Sequence, residues 1–474
     1  MPASETQAAI ARARRAQAEV EFWPQERVDE LVTAAAWPVY EEGSARFLSL
    51  LAQRETGLGD ADHMFTLHRR RVLGALRDLH GVTTTGVIEE LPHQGLVKIA
   101  KPVGVIAVAS PATAPCSTVI GNALPMLKTR NAVVFSPNPR AQQATVATVD
   151  LLRGGLARAG APEDLIQCVT VTGRETVEDL MAAADLVVAA GGSGTVARSY
   201  RSGTPAITAG AGNPPVIVDD SADVSAAAEL IVHGASFNHG TSCSSESNVL
   251  ADAVIAGAFK KELRCHGAYL CDGEETARLR ALLWPTGNTL SRAAIGRSAA
   301  DIAADIGIPI GRPAEIAVLV AAGPAVRGTV TGLTGDPLLG EKLSPVLTLL
   351  EYDGFDTALS AVDELLAHAG RGHSCGIHTT RAEHVESLAG RARVCRVMVN
   401  QSTATGNSGS FNNGMPFTST IASGSWGGCS RSENITWRHF LNYTYVSRPL
   451  PLNEPDEETL FGAYRRQLPL SASY

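Results

Sequence analysis

The stretch KPVGVIAVASPATAPCSTVIGNALPMLKTRNAVVFS, residues 101–136, sets the pattern that decides the fold. Residues 103–109 are a short apolar run without alternation, which suits a strand buried on both faces. A proline-bounded turn over 111–115 follows. Apolar residues at helical spacing then run over 117–127, with Ser117 as the expected cap, and a second strand is expected over 132–135. The rhythm continues with a helix over 141–159, a strand over 166–171, a helix over 175–183 and a strand over 185–189. Repeated strand–helix–strand units imply a parallel sheet covered by helices, so the fold class is α/β. Ligands of such sheets sit at the carboxyl ends of the strands, which here means 110–115, 136–140 and 191–194.

Toward the N-terminus, residues 4–80 read as helices: Ala8, Ala9, Ile10, Ala13 and Ala16 recur at helical spacing, and further runs cover 26–36 and 40–55. This leading part is expected to pack on the first sheet rather than to fold alone. Residues 91–100 read as an extended arm or hairpin strand. Toward the C-terminus, the glycine- and proline-rich connector 205–215 leads into a second alternating region. It holds a helix over 224–237, a strand over 248–251, a helix over 253–265 and further units at 316–322 and 346–366. From about residue 400 the chain is rich in Ser, Gly, Thr and Asn. It ends in a strand-like run over 441–446 that suits pairing within a subunit or between subunits.

A length of 474 residues exceeds one ordinary core, so two or three domains are expected. Apolar residues make up 45% and charged ones 19%, and the mean hydropathy of +0.04 fits a globular protein with ample material to bury. The net charge of -8, with no basic run longer than Arg69-Arg70-Arg71, argues against a nucleic-acid partner. Apolar runs such as 103–109 and 316–322 fall far short of the roughly 18–20 residues that cross a bilayer, and the N-terminus lacks the apolar core of a signal peptide. No membrane association and a cytoplasmic location are expected. The 8 cysteines lack paired close spacings, so reduced thiols are expected, with neither a disulfide frame nor a metal site.

Two stretches carry chemistry. Ala190-Gly191-Gly192-Ser193-Gly194 follows a strand and opens a short helix over 195–200. Its glycines let backbone approach a phosphate at a helix N-terminus, although it is not the G-x-G-x-x-G dinucleotide pattern and a plain turn reads about as well. Asn238-His239-Gly240-Thr241-Ser242-Cys243-Ser244-Ser245-Glu246 follows a helix that Gly240 can close in the left-handed conformation. A thiol on such a polar loop can act as a nucleophile, although position alone favours a buried or incidental cysteine.

Six stretches together carry a resemblance. They are KPVGVIAVASPATAP (101–115), ALPMLKTRNAVVFSPNPRA (123–141), AGGSGTVARSYRSGTPAITAGAGNPP (190–215), GTSCSSES (240–247), EKLSPV (341–346) and GSWGGCSRSEN (424–434). In kind and order they resemble the aldehyde dehydrogenase superfamily, and within it the CoA-acylating branch. That branch includes the sulfoacetaldehyde dehydrogenases and the aldehyde half of bifunctional aldehyde/alcohol dehydrogenases. The resemblance implies two parallel-sheet α/β domains plus a β oligomerisation arm. It divides the chain into an N-terminal helical and NAD(P)-binding part (1–215), a catalytic domain (216–400) and a return to the cofactor domain with the arm and tail (401–474). A homodimer or homotetramer is the implied assembly.

The resemblance also implies roles. Cys243 falls on the catalytic nucleophile, whose thiolate attacks an aldehyde and becomes a thioacyl group. Gly191, Gly192 and Ser193 fall near the pyrophosphate of NAD(P), Ser136, Pro137 and Arg140 beside the adenosine, and Glu341 on the nicotinamide ribose. With no carboxylate in 136–140 and Arg140 present, NADP is allowed as well as NAD. Members that hydrolyse the thioacyl group carry a glutamate six residues before the proline that is here Pro214; this chain has Thr208. Without that base another acceptor must remove the acyl group, which points to CoA as co-substrate. The family's asparagine before Pro115, an oxyanion donor, is replaced by Ala114, a loss worth about 2.7–4 kcal/mol when nothing compensates. Either the Cys243 N–H acts with another donor, such as Thr113 or Ser242, or the substrate brings compensating interactions.

Asn138 and Cys429 also depart from the usual residues. His239 is a possible neighbour of Cys243, and His373 in GRGHS matches a histidine common in the branch with no role attached. The implied activity is oxidation of a short, polar or anionic aldehyde, with sulfoacetaldehyde the first choice because Ser242, Ser244, Ser402, Thr403 and Thr405 offer hydroxyls. Acetaldehyde, propionaldehyde or a semialdehyde are the other substrates weighed. A non-acylating dehydrogenase and a nucleotide-binding relative with weakened catalysis are the alternatives.

Overall fold

A computed structural model describes residues 4–171, 173–287, 289–308, 316–328, 330 and 332–467. Four helices lead, Glu5–Val20, Gln25–Tyr40, Glu42–Thr56 and Ala61–Leu79. Ser4 opens the first with a capping box to Gln7, and Asp60 caps the fourth through the His63 N–H at 2.8 Å. Their buried faces, among them Ala9, Ala13, Ala16, Leu31 and Leu48, share one core with Val105, Ile106, Val133 and Leu124. Each fully buried Leu or Ile contributes on the order of 1.5–3 kcal/mol, so these helices are held to the first sheet by a continuous apolar contact.

That sheet has five parallel strands in the order Ile166–Cys168, Ala132–Ser136, Val105–Ala109, Leu186–Ala190, Ala206–Ala209. The central strand pairs Ile106 with Val133 on one side and Leu186 on the other, and residues 105–108 are fully buried, as an unalternating apolar run requires. The helix after it spans Pro115–Lys128, two residues earlier than Ser117 suggests. Pro115 occupies the first turn, where a missing N–H costs nothing, and the Ser117 hydroxyl donates back to the Ala114 carbonyl at 3.4 Å instead of capping. The strand expected over 166–171 stops at Cys168.

The second sheet has seven parallel strands. Its order is Ala268–Leu270, Val318–Ala322, Val346–Tyr352, Asn248–Asp252, Pro215–Val218, Cys375–His378, Val397–Val399. Helix Val224–Ser236 lies against it through Ala227, Ala228, Ile231, Val232 and Ala235. The third sheet is antiparallel and joins an early segment of the chain to a late one: Gly86–Leu91, Leu96–Pro102 and Leu441–Ser447. The late strand therefore pairs within the chain, with Tyr443 opposite Ala100. Among the described residues no helix is long and apolar enough to cross a membrane.

Candidate active site

Helix Val224–Ser236 ends in an unusual reversal. Asn238, His239 and Gly240 take φ of 49°, 53° and 64° in succession. Two non-glycine residues in the left-handed region cost about 1–3 kcal/mol each unless the surroundings hold them. Asn238 is held on three sides: its N–H donates to His63 Nδ1 at 3.1 Å, its Oδ1 accepts from Asp60 N at 3.0 Å, and its Nδ2 donates to Thr241 Oγ1 at 2.7 Å. His239 Nδ1 donates to the Gly296 carbonyl at 3.0 Å. That nitrogen is thus spent on a backbone tie. A β-carbon on Gly240 would lie 2.5 Å from the Ser344 carbonyl oxygen, so only glycine fits that approach.

The reversal delivers Cys243 on a turn closed by Ser245 N–H to the Ser242 carbonyl at 3.0 Å. The far side of the loop is pinned by Thr403, whose Oγ1 donates to the Ser244 carbonyl at 2.8 Å and whose N–H donates to Glu246 Oε1 at 2.6 Å. Ser244, Ser402 and Thr403 are buried behind the loop, so of the five hydroxyls expected to face substrate only Ser242 and Thr405 are half-buried.

Cys243 is half-buried, and its sulfur lies 3.2 Å from His373 Nε2. Burial pushes the thiol up to about 12 and the Glu341 carboxylate adds to the rise, while the Ser244 hydroxyl and Arg396 guanidinium pull the other way. His373 is fully buried, and burial together with Arg396 holds its pKa down to about 3. At neutral pH the resting pair is therefore an uncharged thiol beside an uncharged imidazole. His373 Nδ1 faces Ser374 Oγ at 2.9 Å, and Ser374 Oγ accepts from Asn407 Nδ2 at 2.8 Å. The histidine was legible in GRGHS without a role. Ser374, Asn407 and Arg396 gave no signal, because only folding brings residues 243, 373–374, 396 and 407 together.

Glu341 approaches the same point from another loop. Its Oε1 accepts the Gly212 N–H at 3.1 Å, and burial raises its carboxyl to about 7 against the pull of that bond. Lys342, fully buried, anchors the loop by donating to the Ser247 carbonyl and Oγ at 3.1 and 3.0 Å and to the Gly340 carbonyl at 3.2 Å.

The remaining candidates for the nucleotide lie at the carboxyl ends of the five-stranded sheet. Ser136 and Pro137 are buried beside Ser110, laced to it by Ser110 N–H to the Ser136 carbonyl at 3.0 Å and Asn138 N–H to the Ser110 carbonyl at 3.1 Å. Gly191 and Gly192 precede helix Ser193–Arg201, and Ser193 is described by its backbone alone. Arg140 stands apart. It is exposed, donates to the Thr56 carbonyl at 2.6 Å, and lines a cavity of about 390 Å³ with His239, Gly296 and Arg297. Two observations fit a nucleotide here: the backbone N–H of Gly194 takes no carbonyl among the described residues, and the buried Ser110 Oγ has no partner among them.

Thr208 is fully buried, with Tyr200 Oη at 2.8 Å and its own Oγ1 donating to Cys429 Sγ at 3.4 Å. No water-activating carboxylate stands at that position. Ala114 offers no donor from its side chain, whereas the Cys243 N–H meets no carbonyl among the described residues.

Comparison with known proteins agrees with this geometry. The aldehyde dehydrogenase family pattern matches residues 1–273. An acylating sulfoacetaldehyde dehydrogenase of Bilophila wadsworthia is 40% identical over 451 residues, 94% of this chain and 96% of that protein. An acetylating aldehyde dehydrogenase from Geobacillus thermoglucosidasius superposes with a TM-score of 0.89 at 31% identity, over 95% of this chain and 98% of that one. A propionaldehyde dehydrogenase of Rhodopseudomonas palustris, solved with CoA and an acylated cysteine, superposes with a TM-score of 0.83 at 26% identity over 94% of this chain and 98% of that one. By its matched pattern and by relatives that span almost its whole length, the chain belongs to the aldehyde dehydrogenase family, among its acylating members.

Proposed function

We propose that the protein oxidises a short anionic aldehyde, sulfoacetaldehyde first, to its acyl-CoA, with Cys243 as nucleophile and NAD(P)+ and CoA as co-substrates. The observation that carries this reading is the Cys243–His373 contact at 3.2 Å combined with Thr208 where a hydrolytic base would stand. The substrate choice rests on the sulfoacetaldehyde-oxidising relative.

Cys243 attacks as the thiolate, and the site opposes and assists that ionisation at once. Burial and Glu341 oppose it; Ser244 and Arg396 favour it. The carbonyl oxygen of the aldehyde gains negative charge against the Cys243 N–H, the donor that stands in for the missing asparagine. The 191–193 turn, Ser136, Pro137, Arg140 and Glu341 would hold NAD(P)+, which would supply the acceptor for the hydride leaving the former aldehyde carbon. The acyl group then sits on Cys243 as a thioester. Thr208 activates no water against it, so the CoA thiolate attacks the acyl carbon and the Cys243 sulfur leaves with its electron pair. Residues 1–215 serve as the cofactor part, 216–400 as the catalytic domain, and 401–474 as the return to the cofactor part with the arm and tail. The sheet of 86–91, 96–102 and 441–447, with Val87 and Tyr445 about half exposed, is the assembly surface of a dimer or tetramer.

The test follows NAD(P)H formation with sulfoacetaldehyde, acetaldehyde, propionaldehyde and succinate semialdehyde, with and without CoA. Turnover that requires CoA and is fastest with sulfoacetaldehyde is expected. Turnover indifferent to CoA would end the acylating reading, and faster turnover of acetaldehyde would end the substrate choice.

A further inference from the structure

The Cys243–His373 pair is the visible end of a longer chain of contacts. Asn407 Nδ2 donates to Ser374 Oγ at 2.8 Å, which leaves the Ser374 hydroxyl proton to be placed. His373 Nδ1, at 2.9 Å, is the acceptor within reach. The Asn407 main-chain carbonyl accepts Asn434 Nδ2 at 2.8 Å, its side-chain Oδ1 has no partner among the described residues, and Ser374 and Asn407 are both fully buried. An unspent hydroxyl proton in such a place is costly, and with Asn407 Nδ2 turned to Ser374 one arrangement spends it. Ser374 O–H donates to Nδ1, and the imidazole proton is forced onto Nε2, which points at the Cys243 sulfur 3.2 Å away.

We infer that Ser374 and Asn407 are positioning residues that lock His373 in the Nε2–H tautomer, so that the imidazole donates a hydrogen bond to the Cys243 sulfur. Such a donor favours the thiolate both when Cys243 attacks and when it departs, in a site where burial and Glu341 work against it. It also means that the neutral ring holds no free lone pair toward the sulfur. The charged groups that bear on the pair are Arg396, beside both residues, and Glu341, beside Cys243; the variants below leave both in place. The inference rests on Cys243 as nucleophile, but its readouts use no aldehyde, NAD(P) or CoA, so it fails separately from the proposed activity.

The direct measurement is the 15N spectrum of His373 in the full, 15N-histidine-labelled chain, identified by the signals lost in His373→Ala. Nε2 is expected to appear protonated and Nδ1 unprotonated; the reverse pattern overturns the inference. The second measurement is the pH profile of Cys243 alkylation by iodoacetamide, with far-UV circular dichroism as the check on folding. Ser374→Ala is expected to slow alkylation near pH 8 by about tenfold, one pKa unit, and to move the profile upward. Ser374→Thr, which keeps a hydroxyl, is expected to return it toward wild type. A profile unchanged in Ser374→Ala overturns the inference, and if that variant does not fold, the 15N pattern of the native chain decides alone.

Discussion

Gly212 stands so close behind Cys243 that a β-carbon at 212 would lie 1.9 Å from the Cys243 carbonyl oxygen. The same glycine donates its N–H to Glu341 at 3.1 Å. The peptide on which the candidate nucleophile rests and the carboxylate that bears on its charge are thus joined through one residue. Gly212→Ala must push the Cys243 loop outward, and a displacement of about 1 Å in a reacting group costs on the order of 100-fold. The variant is expected to keep nucleotide binding and to lose about that factor in kcat. Wild-type kinetics in Gly212→Ala would show that the thiol does not depend on this contact.

Glu341 offers a test of sign. Its ionised carboxylate raises the Cys243 thiol, and its own carboxyl is raised to about 7, so the opposition is felt above neutral pH. Glu341→Gln removes the charge and keeps an acceptor for the Gly212 N–H. Iodoacetamide should then alkylate Cys243 faster above pH 7, by roughly tenfold for each pKa unit relieved, with the gap closing at lower pH where the wild-type carboxyl is protonated. Nucleotide affinity should fall in the same variant. Equal alkylation rates above pH 7 would refute the coupling.

Glu246 is a buried carboxyl that the reaction does not use. Its Oε1 accepts the Thr403 N–H at 2.6 Å, its Oε2 has no partner, and burial raises it from 4.5 to about 7. A folded pKa above the unfolded one gives stability that is full below 4.5 and is lost as pH rises through 7, here up to roughly 3 kcal/mol. Glu246→Gln keeps the acceptor and removes the titration. Its melting temperature should exceed that of wild type at pH 8, with the difference fading by pH 4.5. Because the buried histidines His68 and His378 titrate in the opposite sense over an overlapping range, the difference between variant and wild type is the quantity to follow. A constant difference across pH would place the effect elsewhere.

The sheets were legible where local pattern and tertiary need agree. The unalternating runs at 105–108 and 132–136 became strands buried on both faces, and residues 441–447 form a strand. The pairing of that strand with 96–102 could not be read, because register across more than 300 residues leaves no local trace. Ser117 misled as a cap because Pro115 starts the helix without one. In the site, Cys243 and Glu341 stood out through short motifs. The contacts that surround them involve backbone groups such as Gly212 N–H and scattered single residues such as Asn407, whose identities say little until the fold sets them 3 Å from a partner.

The most discriminating kinetic prediction concerns Thr208. Its hydroxyl lies between Tyr200 and Cys429 and is buried, so it neither ionises nor reaches for water. General-base assistance is worth about 10²–10⁴-fold, and deacylation by water should be slower than deacylation by CoA by a factor of that order. Mixed rapidly with aldehyde and NAD(P)+ but no CoA, the enzyme is expected to form one NAD(P)H per chain in a burst and then nearly stop. Peptide mass spectrometry of the stalled enzyme should find the acyl group on Cys243, and added CoA should restart turnover. A steady rate with no burst would mean that water removes the acyl group as fast as it forms. The carboxylate of Glu341, tied through Gly212 to the back of Cys243, would then be the base to test.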